Sequence, residues 1–236
     1  MAAKRQPRSN GKRVKDTPLA ELSDAMQDYL REIYKLQSDS GRVKTSTLAE
    51  RMGVAAPSAT AMVKKLAALG LAEHELYRGV RLTPTGERTA LEVLRHHRLL
   101  ELYLAETFEL GLDAVHAEAD RLEHALSETL ERRIDEALGS PRRDPHGDPI
   151  PDARLRIAEP KAQPLSQLGP GDEATVLRIP DRDGELLRYL ATLSLIPGQR
   201  VVFVAAEPLR GPVTVRTAGR ETAISRELAD QIRVSI

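Results

Sequence analysis

Apolar positions recur at helical spacing from Ser23 onward. Met26, Leu30, Ile33 and Tyr34 share one face, Ser23 or Asp24 can cap the segment, and the pattern predicts a helix to about Leu36. After Gly41, a short second helix is expected from Thr45 to Gly53, with Leu48, Ala49 and Met52 on its apolar side. Pro57 suits the first position of a third helix through Leu69, with Met62, Val63, Leu66 and Leu69 inward and Gly70 as its stop. Leu71 to Leu82 then predicts two short strands around Tyr77-Arg78-Gly79, a tight hairpin. Thr83-Pro84 starts a long helix to about Glu109, and one further helix is expected from Asp113 to Leu138. The two stripes (Leu91, Leu94, Leu99, Leu102; Leu122, Leu126, Leu130, Ile134, Leu138) expose more apolar surface than one helix pair hides. Dimerisation is the simplest way to cover it.

The pattern changes at Gly139. Pro141, Pro145, Pro149, Pro151 and Pro160 mark a linker able to pack on the surface. Beyond Lys161, β-like runs (Ala174–Ile179, Arg200–Ala205, Pro212–Thr217) surround one helical segment, Glu185–Leu193. A small, mostly β domain is expected there, plausible as a barrel.

Composition narrows the function classes. With 41% apolar and 30% charged residues among 236, the chain is ordinary for a globular protein. No apolar run approaches the roughly 20 residues of a membrane span, and Met1–Asp16 lacks the apolar stretch of a secretory signal. A cytoplasmic location without a membrane partner is therefore expected. The absence of cysteine leaves nitrogen and oxygen as the ligands of any metal site. Lys plus Arg (35) balances Asp plus Glu (35), so net charge indicates no partner. Lys4, Arg5, Arg8, Lys12, Arg13 and Lys15 form a tail without acids, which suits a solubilising disordered segment or a nucleic-acid arm equally.

Helix, turn, helix and hairpin make a winged helix-turn-helix arrangement. Its third helix offers its N-terminal end to a major groove while the second braces on the backbone. Thr45, Ser46, Pro57, Ser58, Thr60, Ala61, Lys64 and Lys65 are the candidate DNA-facing residues, with Arg78 and Arg81 on the wing. The alternative is a helical hairpin whose lysines face water.

Ligand-type side chains recur on the next helices. His97 and Glu101 are spaced i, i+4, while His116, Asp120, Glu123 and His124 form a polar stripe beside the apolar one. Asp28 lies off the apolar face of the first helix. A solvated charged face would account for any one of these residues, but four of six histidines fall within this helix pair. His96 is expected to face solvent, and His74 and His146 have no expected role.

Five stretches carry a family likeness: Asp28–Tyr34, Leu82–Gly86, His97–Glu101, His116–His124 and Pro145–Pro151. They resemble, in order and spacing, the diphtheria-toxin-repressor family of iron- and manganese-dependent regulators. The resemblance implies a mainly α fold with a small β domain. After a basic disordered tail (1–20) that lies outside the resemblance, a winged helix-turn-helix domain (21–88) would be followed by a helical metal-binding and dimerisation domain (89–140). A Pro-rich linker (141–160) and an SH3-like, FeoA-like barrel (161–236) would follow. It also implies two metal sites per subunit. The primary site would use Asp28, Asp120, Glu123 and His124; the ancillary site would use His97, Glu101 and His116, completed by Asp183 or Glu185. Iron-sensing members place methionine and cysteine where this chain has Asp28 and Asp120. Hard carboxylate donors suit Mn²⁺, with Fe²⁺ as the second candidate. Arg31 stands where the manganese branch often has glutamate, which favours two separate sites over a shared cluster.

The function implied is a metal-activated homodimer that represses metal-uptake genes by binding double-stranded operator DNA. Two other classes remain open at this point: a winged-helix regulator answering an organic ligand, and a dinuclear metalloenzyme. Against the enzyme, no separate nucleophile or acid–base group is legible.

Overall fold

A computed structural model describes residues 19–37, 41–158, 161–181 and 183–236; the basic stretch 1–18 lies outside the described residues. The chain divides into two compact units, Met1–Ala90 and Leu91–Ile236.

The first unit contains α1 (Asp24–Leu36), α2 (Thr45–Arg51), α3 (Ala56–Ala68), β1 (Ala72–Glu75) and β2 (Gly79–Leu82). It also holds the start of α4 (Pro84–Phe108). The expected apolar positions Leu30, Ile33, Leu48, Val63 and Leu66, joined by Leu71 and Val80, are its buried core. Two local expectations are corrected. Pro57 is the second helical residue of α3, and Leu69, expected inward, is 42% exposed because α3 ends at it as a cap. The hairpin pairs Ala72 with Leu82 and Glu75 with Gly79, and Val43 adds a bridge to Val80. Gly79 has φ +94°, and a Cβ there would lie 2.2 Å from the Val43 carbonyl oxygen, so the hairpin needs glycine at this position.

In the second unit the continuous helix expected from Asp113 to Leu138 is two helices, α5 (Leu112–Leu122) and α6 (Glu128–Ala137). A 3₁₀ turn, Glu123–Ala125, ends α5, and Leu126 is extended. The Ser127 hydroxyl oxygen accepts from the Leu130 amide, and Glu128 and Glu131 lie in the first turn of α6. A capping serine followed by acids starts a new helix even though the apolar stripe runs on. The Pro-containing segment that follows is anchored to α4. Ile150 is buried, Arg98 donates to the Pro149 carbonyl (2.5 Å), and Arg95 donates to that of Pro151 (2.6 Å).

The remaining chain forms β3 (Gln163–Pro164), β4 (Glu173–Arg178), α7 (Gly184–Thr192), β5 (Arg200–Ala206), β6 (Val213–Thr217), β7 (Arg220–Ile224), α8 (Arg226–Gln231) and β8 (Arg233–Ser235). The strands make an antiparallel sheet in the order β3-β8-β4-β5-β6-β7 around Val176, Leu187, Leu190, Val201, Phe203 and Val215. Among the described residues, no helix is long and apolar enough to cross a membrane.

Candidate metal centre

One stretch of α4 is unusually polar for a buried helix: Arg95, His96, His97, Arg98 and Glu101 are all nearly sealed from solvent. Such groups persist inside a fold only when paired or ligating. Here α5 supplies the partners. His97 Nδ1 lies 2.7 Å from Glu123 Oε2 and 3.3 Å from Asp120 Oδ1. On the other side of the ring, His97 Nε2 is 3.0 Å from Glu101 Oε1 and 3.1 Å from His116 Nδ1. His116 Nδ1 is itself 2.8 Å from Glu101 Oε1, and the two imidazoles meet edge to face at 4.8 Å. The 3₁₀ turn carries Glu123, fully buried, and His124, whose Nε2 is 3.5 Å from Glu123 Oε1.

A second group adjoins the first through Glu101. Ligand atoms of Glu101, Asp144 and His146 lie within 4.8 Å of one another, as do those of His97, His116 and Asp120. All three members of the former group are buried. Asp144 Oδ1 accepts the amides of His146 and Asp148, both at 2.9 Å, which closes the loop that aims the His146 ring inward. His146 Nε2 sits 3.0 Å from the Leu112 carbonyl, which can only accept, so Nε2 carries the hydrogen. Its Nδ1 is buried with no hydrogen-bond partner and stands 3.8 Å from Glu101 Oε1.

The charges are mutually dependent. Burial works against the Glu101 carboxylate, but His97, His116 and His146 around it hold its pKa well below the usual value. Burial, reinforced by Glu101 and Asp148, pushes Asp144 up to about 8 against the opposing Arg98 and His146. Burial disfavours a charged His146, yet Glu101 and Asp144 outweigh it and raise that pKa to about 9. Protons therefore stand where a cation could, and a ligating metal would displace them. A donor set of imidazole nitrogens and carboxylate oxygens, with one imidazole nitrogen left without a partner, fits Mn²⁺ or Fe²⁺.

Of the other residues singled out in the sequence, Asp28 lies on α1 of the first unit, 3.7 Å from Arg31 Nη2 and 31% exposed at its side chain. Asp183 caps α7, its Oδ1 accepting the amides of Glu185 (2.8 Å) and Leu186 (3.2 Å), and both acids are exposed. Among the described residues neither Asp183 nor Glu185 falls within a group of three ligand atoms. His96, expected in solvent, is buried with Nε2 3.1 Å from Glu131 Oε2, because α6 and the docked segment cover that face of α4 as well. Asp144 and His146 were missed. The signal was a histidine between two acids in a short run bounded by prolines, Asp144-Pro-His-Gly-Asp148.

On α3, Pro57, Ser58, Ala61, Lys64 and Lys65 are exposed opposite buried Ala59 and Val63, and the Thr60 hydroxyl donates to the Ala56 carbonyl at 2.9 Å. Ser46 is exposed on α2, and Thr45 half-buried. Arg78 and Arg81 project from the hairpin with Glu75 and Glu73 beside them at 3.4 and 2.7 Å.

Comparison with known proteins is consistent along the chain. Residues 21–80 match the iron dependent repressor N-terminal DNA binding domain, 83–152 its metal binding and dimerisation domain, and 163–236 the FeoA domain. The iron-dependent repressor IdeR of Mycobacterium tuberculosis (strain H37Rv) is 32% identical over 227 residues, 91% of this chain and 98% of that one. The chain belongs to the diphtheria-toxin-repressor family. The diphtheria toxin repressor of Corynebacterium diphtheriae is 35% identical over 133 residues, 56% of this chain and 59% of its own. Among solved structures, a manganese-dependent transcriptional repressor in complex with manganese is 40% identical with a TM-score of 0.82, covering 89% of this chain and 98% of that one. T. acidophilum IdeR follows at 30% identity and a TM-score of 0.74, over 89% and 97%. The family's members are iron- and manganese-dependent transcriptional repressors, and a regulator of that kind, rather than an enzyme, is what the domain composition implies.

Proposed function

We propose that this protein is a manganese- or iron-activated repressor in the cytoplasm, binding operator DNA as a homodimer and controlling genes for uptake of the same metal. The observation that carries this reading is the meeting, around the buried His97 ring, of Glu101 on α4, His116 and Asp120 on α5 and Glu123 on the turn that follows. In this reading the primary ion is held by Asp28, Asp120, Glu123 and His124, and the ancillary ion by His97, Glu101 and His116. The sequence offered Asp183 or Glu185 to complete the ancillary set. The position of His146 and Asp144 around Glu101 supports these two residues instead.

When bound, the divalent ion supplies the positive charge that lets Asp28, Asp120 and Glu123 stay ionised near one another. His97 bridges the two ligand groups and orients Glu123 and Glu101. Ligation shared between Asp28 on α1 and residues of the dimer-forming unit restricts how the DNA-reading unit is carried. Two recognition helices then stay at a separation matched to half-sites about 34 Å apart. Ser58, Thr60, Lys64 and Lys65 of α3 meet the major groove and its phosphates, and Arg78 and Arg81 flank it. A regulator that binds DNA when metal is plentiful most simply shuts down import. Three carboxylates with one imidazole at the primary site favour Mn²⁺, and the relatives include both manganese- and iron-dependent repressors.

The test is DNA binding by the full chain to fragments selected from its own genome, measured with Mn²⁺, with Fe²⁺ under anoxia and with chelator. Binding that requires the metal supports the reading; equal affinity with chelator contradicts it.

A further inference from the structure

Away from the ligand groups, the outer side of the 143–149 loop faces the sheet. Gly147, with φ +91°, is pressed so closely onto β4 that a Cβ would lie 1.8 Å from the Leu177 carbonyl oxygen, and the Ile179 amide donates to the His146 carbonyl at 3.0 Å. Beside this seam is a cavity of about 220 Å³ lined by Arg143, Gly147, Pro149, Ala162, Arg178 and Arg233, with Leu177. Three half-buried guanidinium groups thus border one small space that, among the described residues, no carboxylate lines. Arg178 and Arg233 are also directly opposed across β4 and β8, at a register shift. Like charges in that position oppose strand pairing.

Their existing partners leave charge over. Arg143 donates to the Gly147 carbonyl at 2.5 Å, which is neutral. Arg178 shares the Asp148 carboxylate, at 3.3 Å, with Arg98 at 3.0 Å. The Arg233 guanidinium has no ion pair or hydrogen bond among the described residues. Guanidinium forks match the paired oxygens of phosphates and carboxylates, and the cavity is smaller than the roughly 300–1,000 Å³ of drug-sized sites.

We propose that this cavity binds a small multivalent oxyanion, gripped by Arg143, Arg178 and Arg233, which ties the 143–149 loop to the sheet. The shared chemistry is clustered anionic oxygen, supplied either by phosphate or by a small di- or tricarboxylate. The inference does not depend on the metal or DNA readings, and its test uses neither.

Titration calorimetry of the metal-free full chain with inorganic phosphate and with citrate, at matched ionic strength, distinguishes the sources. Saturable binding of either anion is expected, weakened at least tenfold in Arg178→Gln and in Arg233→Gln. Arg178→Gln also loosens Asp148, so Arg233→Gln, which removes no intramolecular partner, carries the decision if the first variant unfolds. Binding of phosphate alone or citrate alone assigns the ligand class. No saturable binding of either, or equal binding by wild type and Arg233→Gln, overturns the proposal.

Discussion

The core of the DNA-reading unit and the α4–α5 seam of the second unit are both buried, but opposite forces govern them. Leu30, Ile33, Leu48, Val63, Leu66 and Leu71 exclude water from one another and need nothing further. The seam buries His97, Glu101, Glu123, Asp144 and His146, whose desolvation is offset by their mutual pairing, by Arg98 and a few backbone groups, and by protons. The first region is apolar throughout, whereas in the second the balance of charge depends on what neutralises its carboxylates.

Four changes would break or sharpen that contrast. The largest effect is expected from Leu66→Ala, which should destabilise the first unit by about 2–5 kcal/mol in denaturant unfolding, because the cavity cannot fully collapse. The stabilisation gained from Mn²⁺ should be unchanged, and a variant that also lost it would mean the regions are not energetically distinct. Next, Mn²⁺ at about 100 times its Kd should stabilise the wild type by about 2.7 kcal/mol. His97→Ala should remove most of that gain, read as the difference between melting with metal and with chelator. An unchanged gain would place the ion elsewhere.

A pH effect follows from Glu131. Burial pushes this carboxyl up, but hydrogen bonds from His96 and Arg95 outweigh it and hold its pKa below the ordinary 4.5. Its contribution is therefore fully present above that value and is lost as pH falls through the lower folded-state pKa. Glu131→Gln should flatten the acid limb of the stability curve while leaving metal binding intact. The smallest effect is expected at the helix break. Ser127→Ala should cost about 1 kcal/mol in unfolding, since the Leu130 amide loses its acceptor.

The apolar pattern made α1, α3, the hairpin and α4 legible almost to the residue, because each has a periodic stripe and a recognisable start or stop. It hid the break between α5 and α6: Leu122, Leu126 and Leu130 keep helical spacing across it, and only Ser127 with its following acids marks the new start. β7 (Arg220–Ile224) and β8 (Arg233–Ser235) escaped notice because charged residues interrupt both, and β8 in addition pairs with strands distant in sequence. At the site, i, i+4 spacing was enough to bring out His97 with Glu101 and His116 with Asp120. His146 was passed over because proline-rich composition resembles a linker, although tertiary contacts with α4 make it a wall of the site. His96 was assigned to solvent from α4 alone, and the packing of α6 and the docked segment over that face changes this.

The most direct test is the anomalous scattering of manganese in crystals of the full chain grown or soaked with Mn²⁺. The account predicts a peak within about 2.5 Å of carboxylate or imidazole atoms of Glu101 and His116 or His146, and a second at Glu123 and His124. Manganese located away from both sets, with the side chains of α4 and α5 still paired to one another, would contradict it.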